Sequence, residues 1–275
     1  MTEPGAALAA IGQVADAEID IGNAALQLAR SDVPAADWMS AAGHLSDLAK
    51  GAVQRARMLD SEDLQGRAAA LADLLVGEFG YVGDTETYDD LANANLIRVI
   101  ERRRGLPVAL GVLWLHAARS AGWGSHGVDF PAHFLVALEG QKTQVVVDVF
   151  NHGQTMSAKD LRALLKRVEG EKAELRPGLL QPMSTRRVLL RLQNNIMTRR
   201  LEAGDLRGGL RCIEDMLLIA PDQSELWRQA GIMNHRLEQV AAARDCYMRF
   251  LELVPEGVAA NRVRVQLDIL KSMLN

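Results

Sequence analysis

Along the first ninety positions the apolar residues recur at mixed spacings of three and four, the period of an amphipathic helix. "AALAAIGQVADAEIDIGNAALQLAR" (6–30), "WMSAAGHLSDLAKGAVQRARML" (38–59) and "LQGRAAALADLLVGEFG" (64–80) each predict one helix. Gly80 and Gly83 then break the pattern, and "GDTETYDD" reads as a loop. "DLANANLIRVIERRRG" (90–105) predicts a further helix with Arg102, Arg103 and Arg104 in its last turn, where positive charge offsets the carbonyl end of the dipole. Gly105 suits the left-handed cap beyond it. "LPVALGVLWLHAARSAG" (106–122) is apolar on nearly every side, so it predicts a helix buried at the centre of a domain. Pro107 fits its first turn, where a missing N–H goes unnoticed, and Gly122 ends it.

The period then shortens. "GVDF", "HFLVAL" and "QVVVDVF" predict three strands, the last two joined by the hairpin-like turn "EGQK". "SAKD" (157–160) is a capping box that opens the helix "LRALLKRV". "RPGLLQP", with Pro177, Gly178 and Pro182, reads as a linker.

Beyond it the chain is helical and repeats itself. Pro221 and Pro255 stand 34 residues apart, and so do Cys212 and Cys246, and Ile213 and Tyr247. A period of 34 closed by proline resembles the tetratricopeptide repeat. In "SELWRQAGIMNHRLEQVAAARDCYMRFLELVPEG", Trp227, Gly231, Ala243, Tyr247 and Pro255 stand at that repeat's signature positions. An earlier unit (190–223) keeps Gly204, Gly209 and Pro221 without the aromatic start, and "NRVRVQLDILKSML" resembles a terminal capping helix. The resemblance implies a concave groove lined by the first helix of each unit. In that register Arg191, Asn194 and Thr198, then Arg228, Ile232 and His235, are exposed as candidate contacts to a protein or peptide partner. The basic run "STRRVLLRLQNNIMTRR" is read as the exposed face of the first repeat helix.

Composition narrows the function classes. The 275 residues are 48% apolar, enough for a real core, and the net charge is −4. With a pI near 5.9 there is no basic field for nucleic acid, so no nucleic-acid partner is expected. No apolar run approaches the ~20 residues of a bilayer span. The opening "MTEPGAALAAIGQVADAEIDIG" is acidic where a signal peptide is basic. A cytoplasmic location without membrane association is the expectation.

The candidate chemistry sits in "PAHFLVALEGQKTQVVVDVFNHG" (131–153), where His133 opens one apolar run and Asp148 closes the next. A buried helix followed by two such strands resembles the transglutaminase-like (papain-like) core. There a cysteine at the helix start attacks, the histidine takes its proton and the aspartate orients the imidazole. That family writes Gly-x-Cys, then Arg twelve and Gly fifteen residues further on. Gly105, Arg119 and Gly122 occupy those anchors here, and the cysteine position is Pro107. Proline has neither thiol nor hydroxyl nor amide proton, and the first 211 residues contain no cysteine. Closer still, "ERRRGLP", "PAHFLVAL" and "DVFN" occur in the order of the SirB1 family, with Val149 in place of that family's proline. That family joins a cysteine-less transglutaminase-like core to tetratricopeptide repeats.

These resemblances imply an α+β, mostly helical chain: a helical lead-in (1–70), a core with a small antiparallel sheet (71–181) and an all-α repeat tail (182–275). His133 and Asp148 are expected to be a relic, inactive dyad. The function expected is a non-catalytic interaction or regulatory adaptor without a cofactor. Two alternatives stand beside it: a hydrolase or transferase using His133 and Asp148 without a cysteine, and a sensor whose old cleft binds a small ligand. A metal site built from His126, His133, His152 and Asp129 matches no standard ligand spacing. His116, Trp114, Trp123 and Phe130 are read as packing residues.

Overall fold

Side-chain caps decide where the N-terminal helical run is cut. A computed structural model describes residues 3–60, 63–176 and 178–274, without the side chains of 271–274. The stretch 6–30 forms two helices, α1 (Pro4–Gln13) and α2 (Ile21–Asp32). Val14 is extended, and the Asp20 carboxylate accepts the Asn23 amide to start α2. In the segment between them Asp16 accepts the Thr185 and Arg186 amides, each at 2.8 Å. Those are orphan donors of a later helix. Next come α3 (Trp38–Ala56) and α4 (Leu64–Ala72), the latter running into a π-helical turn, Asp73–Glu78.

The expected helix over 90–105 is shorter than its pattern. A 3₁₀ turn, Leu91–Asn93, precedes α5 (Leu96–Arg102), which starts where the Asn95 side chain accepts the Ile97 and Arg98 amides. Arg103, not Gly105, is the left-handed cap, at φ 59°. Arg104–Gly105 is a short strand, β2, parallel to β1 (Val82–Gly83). Gly105 serves close approach instead: a Cβ there would lie 2.9 Å from Val99 Cγ2. The arginines are not one basic patch either. Arg102 pairs with the buried Asp84 and with Asp90, Arg103 reaches His44 and Tyr81, and Arg104 reaches Glu86.

The central helix α6 (Pro107–Ser120) is buried along most of its length, as its apolar girth requires. Then follow β3 (Ser125–Phe130), β4 (His133–Glu139), β5 (Gln144–Asp148), β6 (Gln154–Thr155), α7 (Ala158–Glu169) and β7 (Pro182–Met183). Five strands make one antiparallel sheet in the order β6-β5-β4-β3-β7. Strand alternation sends Phe134 of β4 toward α6. On the other face Val128, Phe130, Leu135, Ala137 and Val146 pack with Leu161 and Leu165 of α7. Ser157 and Asp160 make the expected capping box of α7. Pro182 belongs to β7, and Pro177 of the expected linker lies outside the described residues.

The remaining helices are α8 (Thr185–Glu202), α9 (Leu206–Ile219), α10 (Ser224–Arg236), α11 (Val240–Leu253) and α12 (Val258–Leu274). They pair as helix hairpins on the 34-residue period. Gly231 of α10 leaves room for the Tyr247 ring of α11. Trp227 donates its indole N–H to the Pro221 carbonyl at 2.8 Å. Chain contacts divide the protein into two compact units: 15–192, and the residues up to Val14 together with Gln193 onward. The N-terminal helix α1 thus packs on α9 of the repeats, with Leu8 fully buried, while α2–α4 belong with the sheet.

Candidate functional site

The β3–β4 hairpin turns on Pro131 and Ala132, and Ala132 takes a left-handed φ of 52°. That turn pairs Phe130 with His133 and starts β4 on the histidine. In the β4–β5 register, Val136 faces Val147, so His133 and Asp148 fall on the same sheet face, two positions apart along it. His133 Nε2 lies 3.0 Å from Asp148 Oδ1. The carboxylate also accepts the Phe150 and Asn151 amides at 3.1 and 3.2 Å and the Asn151 side-chain amide at 2.6 Å. Burial works to raise the Asp148 carboxyl. The His133 hydrogen bond and charge, followed by Asn151, outweigh it and hold the group below its ordinary value.

An ionised Asp148 can only accept, so Nε2 carries the proton of this contact, and in the neutral form of the ring Nδ1 is the nitrogen with the lone pair. The pair is therefore arranged as an oriented imidazole with one basic nitrogen. Phe150 meets the His133 ring edge-on at 6.5 Å, and Tyr88 meets Phe150 at 6.0 Å. The Phe150 ring rests against Gly83, whose strand pairs with Arg104–Gly105, two residues before Pro107. Pro107 is buried at the first position of α6. The two cysteines are both in the repeat unit, and neither is in a disulfide. Burial pushes the Cys246 thiol up, and the charges of Glu214 and Asp245 add to it.

Arg191 is not the exposed groove residue that the repeat register implied. It pairs with Asp129, donates to the His133 carbonyl at 3.1 Å and lies over the Phe134 ring. Asp129 at the end of the hairpin draws it in, so it braces the strand that carries His133. Asn194 and Thr198 are exposed on α8. Arg228 and Ile232 line a groove of about 520 Å³ with Tyr247 of α11 and Arg262, Val263 and Gln266 of α12. His235 is half-buried and is not among that groove's lining residues. Arg262, and the groove-lining role of the signature residue Tyr247, escaped sequence reasoning, because that wall comes from the second helix and the cap.

The histidines are turned to different partners. His126 Nδ1 lies 2.5 Å from Glu139 and His116 Nε2 lies 3.0 Å from the Leu45 carbonyl. Among the described residues no three His, Cys, Asp or Glu side chains are grouped so as to hold a metal. Trp114, Trp123 and Phe130 are buried. No helix among the described residues is long and apolar enough to cross a membrane.

Residues 40–194, more than half of the chain, match the family model of the transglutaminase-like superfamily. The chain belongs to that superfamily. Residues 198–268 match a tetratricopeptide-repeat model. A UPF0162 protein of Xylella fastidiosa (strain 9a5c) is 32% identical over 201 residues, 72% of each chain. Protein SirB1 of Salmonella typhimurium is 25% identical over 199 residues, 72% of this chain and 74% of its own. The solved structure of menin, 11% identical, aligns with 98% of this chain and 70% of its own at a TM-score of 0.42. The transglutaminase-like match takes in Pro107, His133 and Asp148, and also the start of α8. The superfamily assignment thus covers the dyad and the arginine that braces it.

Proposed function

We propose that this member of the transglutaminase-like superfamily is an interaction or regulatory adaptor whose repeats hold a peptide segment of a partner protein. The observation that carries the reading is the groove between α10, α11 and α12. Ile232, Tyr247 and Val263 supply apolar surface, and Arg228 and Arg262 bring positive charge to it. Arg228 is already clamped by Glu225, which leaves Arg262 as the freer cation. Such a groove suits an extended or helical segment with one apolar side chain beside a carboxylate. Proline at the nucleophile position supports a non-catalytic core, because no group there can attack.

The test is capture from native lysate with the whole chain, Ile232→Asp and Arg262→Glu. A stoichiometric partner lost by both variants and kept by His133→Ala supports the adaptor. A partner indifferent to both groove variants removes the groove from the reading.

A second reading has its own observation. His133 Nε2 lies within hydrogen-bond reach of Asp148, the contact that orients a general-base imidazole with Nδ1 outward from the carboxylate. In it Nδ1 would take a proton from water or a substrate hydroxyl during hydrolysis or transfer. Turnover of an amide or ester that falls about a hundredfold or more in His133→Ala would favour this reading. Turnover that survives His133→Ala would end it.

A further inference from the structure

Beside the C-terminal end of α6 the sheet-bearing unit holds a second cavity, of about 750 Å³, which neither His133 nor Asp148 lines. Its walls come from the segment before α2, the end of α6, the first residue of β3, the last residue of β4, Met183 of β7 and Thr185 at the start of α8. The charge pattern is unusual: His116 Nδ1 faces Asp20 Oδ1 at 3.8 Å, while the second cation, Arg119, has no ion pair with the carboxylates around it. Arg119 is half-buried and donates to two neutral oxygens, Thr185 Oγ1 at 3.0 Å and the Ser125 carbonyl at 3.4 Å. Among the described residues no carboxylate reaches it, and a guanidinium has five donors. The Ser125 hydroxyl, on the same wall, is buried and has no hydrogen-bond partner among the described residues. Burial pushes the Arg119 guanidinium down despite the fields of Asp16, Glu139 and Asp20.

Four carboxylates line the same cavity: Asp16, Glu18, Asp20 and Glu139. Asp16 is spent on the α8 amides. Asp20 Oδ1 takes the Asn23 amide and faces His116 Nδ1, and Glu139 Oε1 meets His126, which leaves each carboxylate its second oxygen toward the cavity. Gly124 lies against the second Glu139 oxygen, where a Cβ would stand 2.9 Å away. A simple anion would satisfy Arg119 but meet four negative charges. A simple cation would satisfy the carboxylates and leave the guanidinium unpaired. Only a ligand carrying both charges answers both halves.

We propose that this cavity binds a small zwitterion of the α-amino-acid class, its carboxylate on Arg119 and the Ser125 hydroxyl, its ammonium on Asp20 and Glu139. Trp123 provides an apolar wall for the ligand's side chain. The site is separate from the repeat groove and from the dyad, so it stands whichever reading of function holds.

The test uses the full chain with each of the twenty standard L-amino acids, followed by thermal melting and titration calorimetry. Propionate and propylamine serve as the single-charge probes. At least one amino acid should raise the melting temperature and bind saturably, while neither single-charge probe does. Arg119→Gln should weaken that binding by about tenfold or more, the loss of one charged hydrogen-bonding partner. Because Arg119 also ties α6 to β3, Glu139→Gln is the second variant; it can still accept from His126 and should weaken the ammonium end similarly. No stabilisation by any amino acid overturns the proposal. So does equal stabilisation by either single-charge probe, or unchanged binding in Glu139→Gln.

Discussion

His44 lies in a cluster that no sequence motif announces. Its Nε2 is 2.8 Å from the Tyr81 hydroxyl and 2.6 Å from Arg103, which reaches it from its left-handed backbone position. Burial, then the Arg103 charge, holds the imidazole down to about 4. Burial likewise lifts Tyr81 to about 12 against the pull of Arg103. The folded value of His44 is below the unfolded one, so the unfolded chain binds the proton first. Stability from this group is therefore present above the ordinary value near 6.5 and is lost as pH falls from there toward 4. Discounted for the solvent that reaches a half-buried ring, the effect is of order 1 kcal/mol. Urea denaturation from pH 7 to 4.5 should show a steeper loss in the wild type than in His44→Gln; parallel curves would refute it. His133 and Asp148 were legible because one opens an apolar strand run and the other closes the next. Arg191 and its partner Asp129 were not, because 62 residues separate them and only the fold brings them together.

At the scale of elements, the strands and the central helix followed from period, while helix ends followed from caps. The hairpin β4–β5 and the capping box of α7 stand where alternation and "SAKD" placed them. The run 6–30 read as one helix because Ala- and Leu-rich spacing continues through Asp16, yet Asp16 is recruited to cap α8, 169 residues away. Gly105 misled for a related reason: a glycine after a helix signals a left-handed cap, but this one serves close packing on Val99. Packing between α6 and the sheet turns on such close approach. The Phe134 ring sits in a slot made by Gly111 of α6 and Gly127 of β3, and a Cβ on either would fall within 3 Å of it. Gly111→Ala should therefore lower stability by about 1–3 kcal/mol through overpacking, despite alanine's better helix propensity. A denaturation midpoint equal to or above wild type would show that the slot is not tight.

For the whole molecule, contact grouping cuts across chain order. The repeat period was legible because Pro221 and Pro255 close two units 34 residues apart and the second unit carries Trp227, Gly231, Ala243 and Tyr247 at signature positions. The membership of α1 was not, because a helix of alanines and leucines says nothing about which surface it covers. Yet Leu8 is fully buried, and Gly12 lies close enough to the Leu218 carbonyl that a side chain there would clash. Helix α1 thus acts as an extra helix of the repeat unit, set against α9. Repeat units are stabilised by their neighbours, so a defect in α1 should spread along the helices stacked on it. Leu8→Ala removes a buried side chain and should cost about 2–5 kcal/mol. Hydrogen exchange read by mass spectrometry should then quicken in α9 and α10, while β3–β5 keep their protection. Faster exchange in β3–β5 with α9 unchanged would place the action of α1 in the other unit. A uniform loss across both would mean that the two units unfold as one. Selective loosening of α9 and α10 would establish that the N-terminal helix completes the repeats from the far end of the chain.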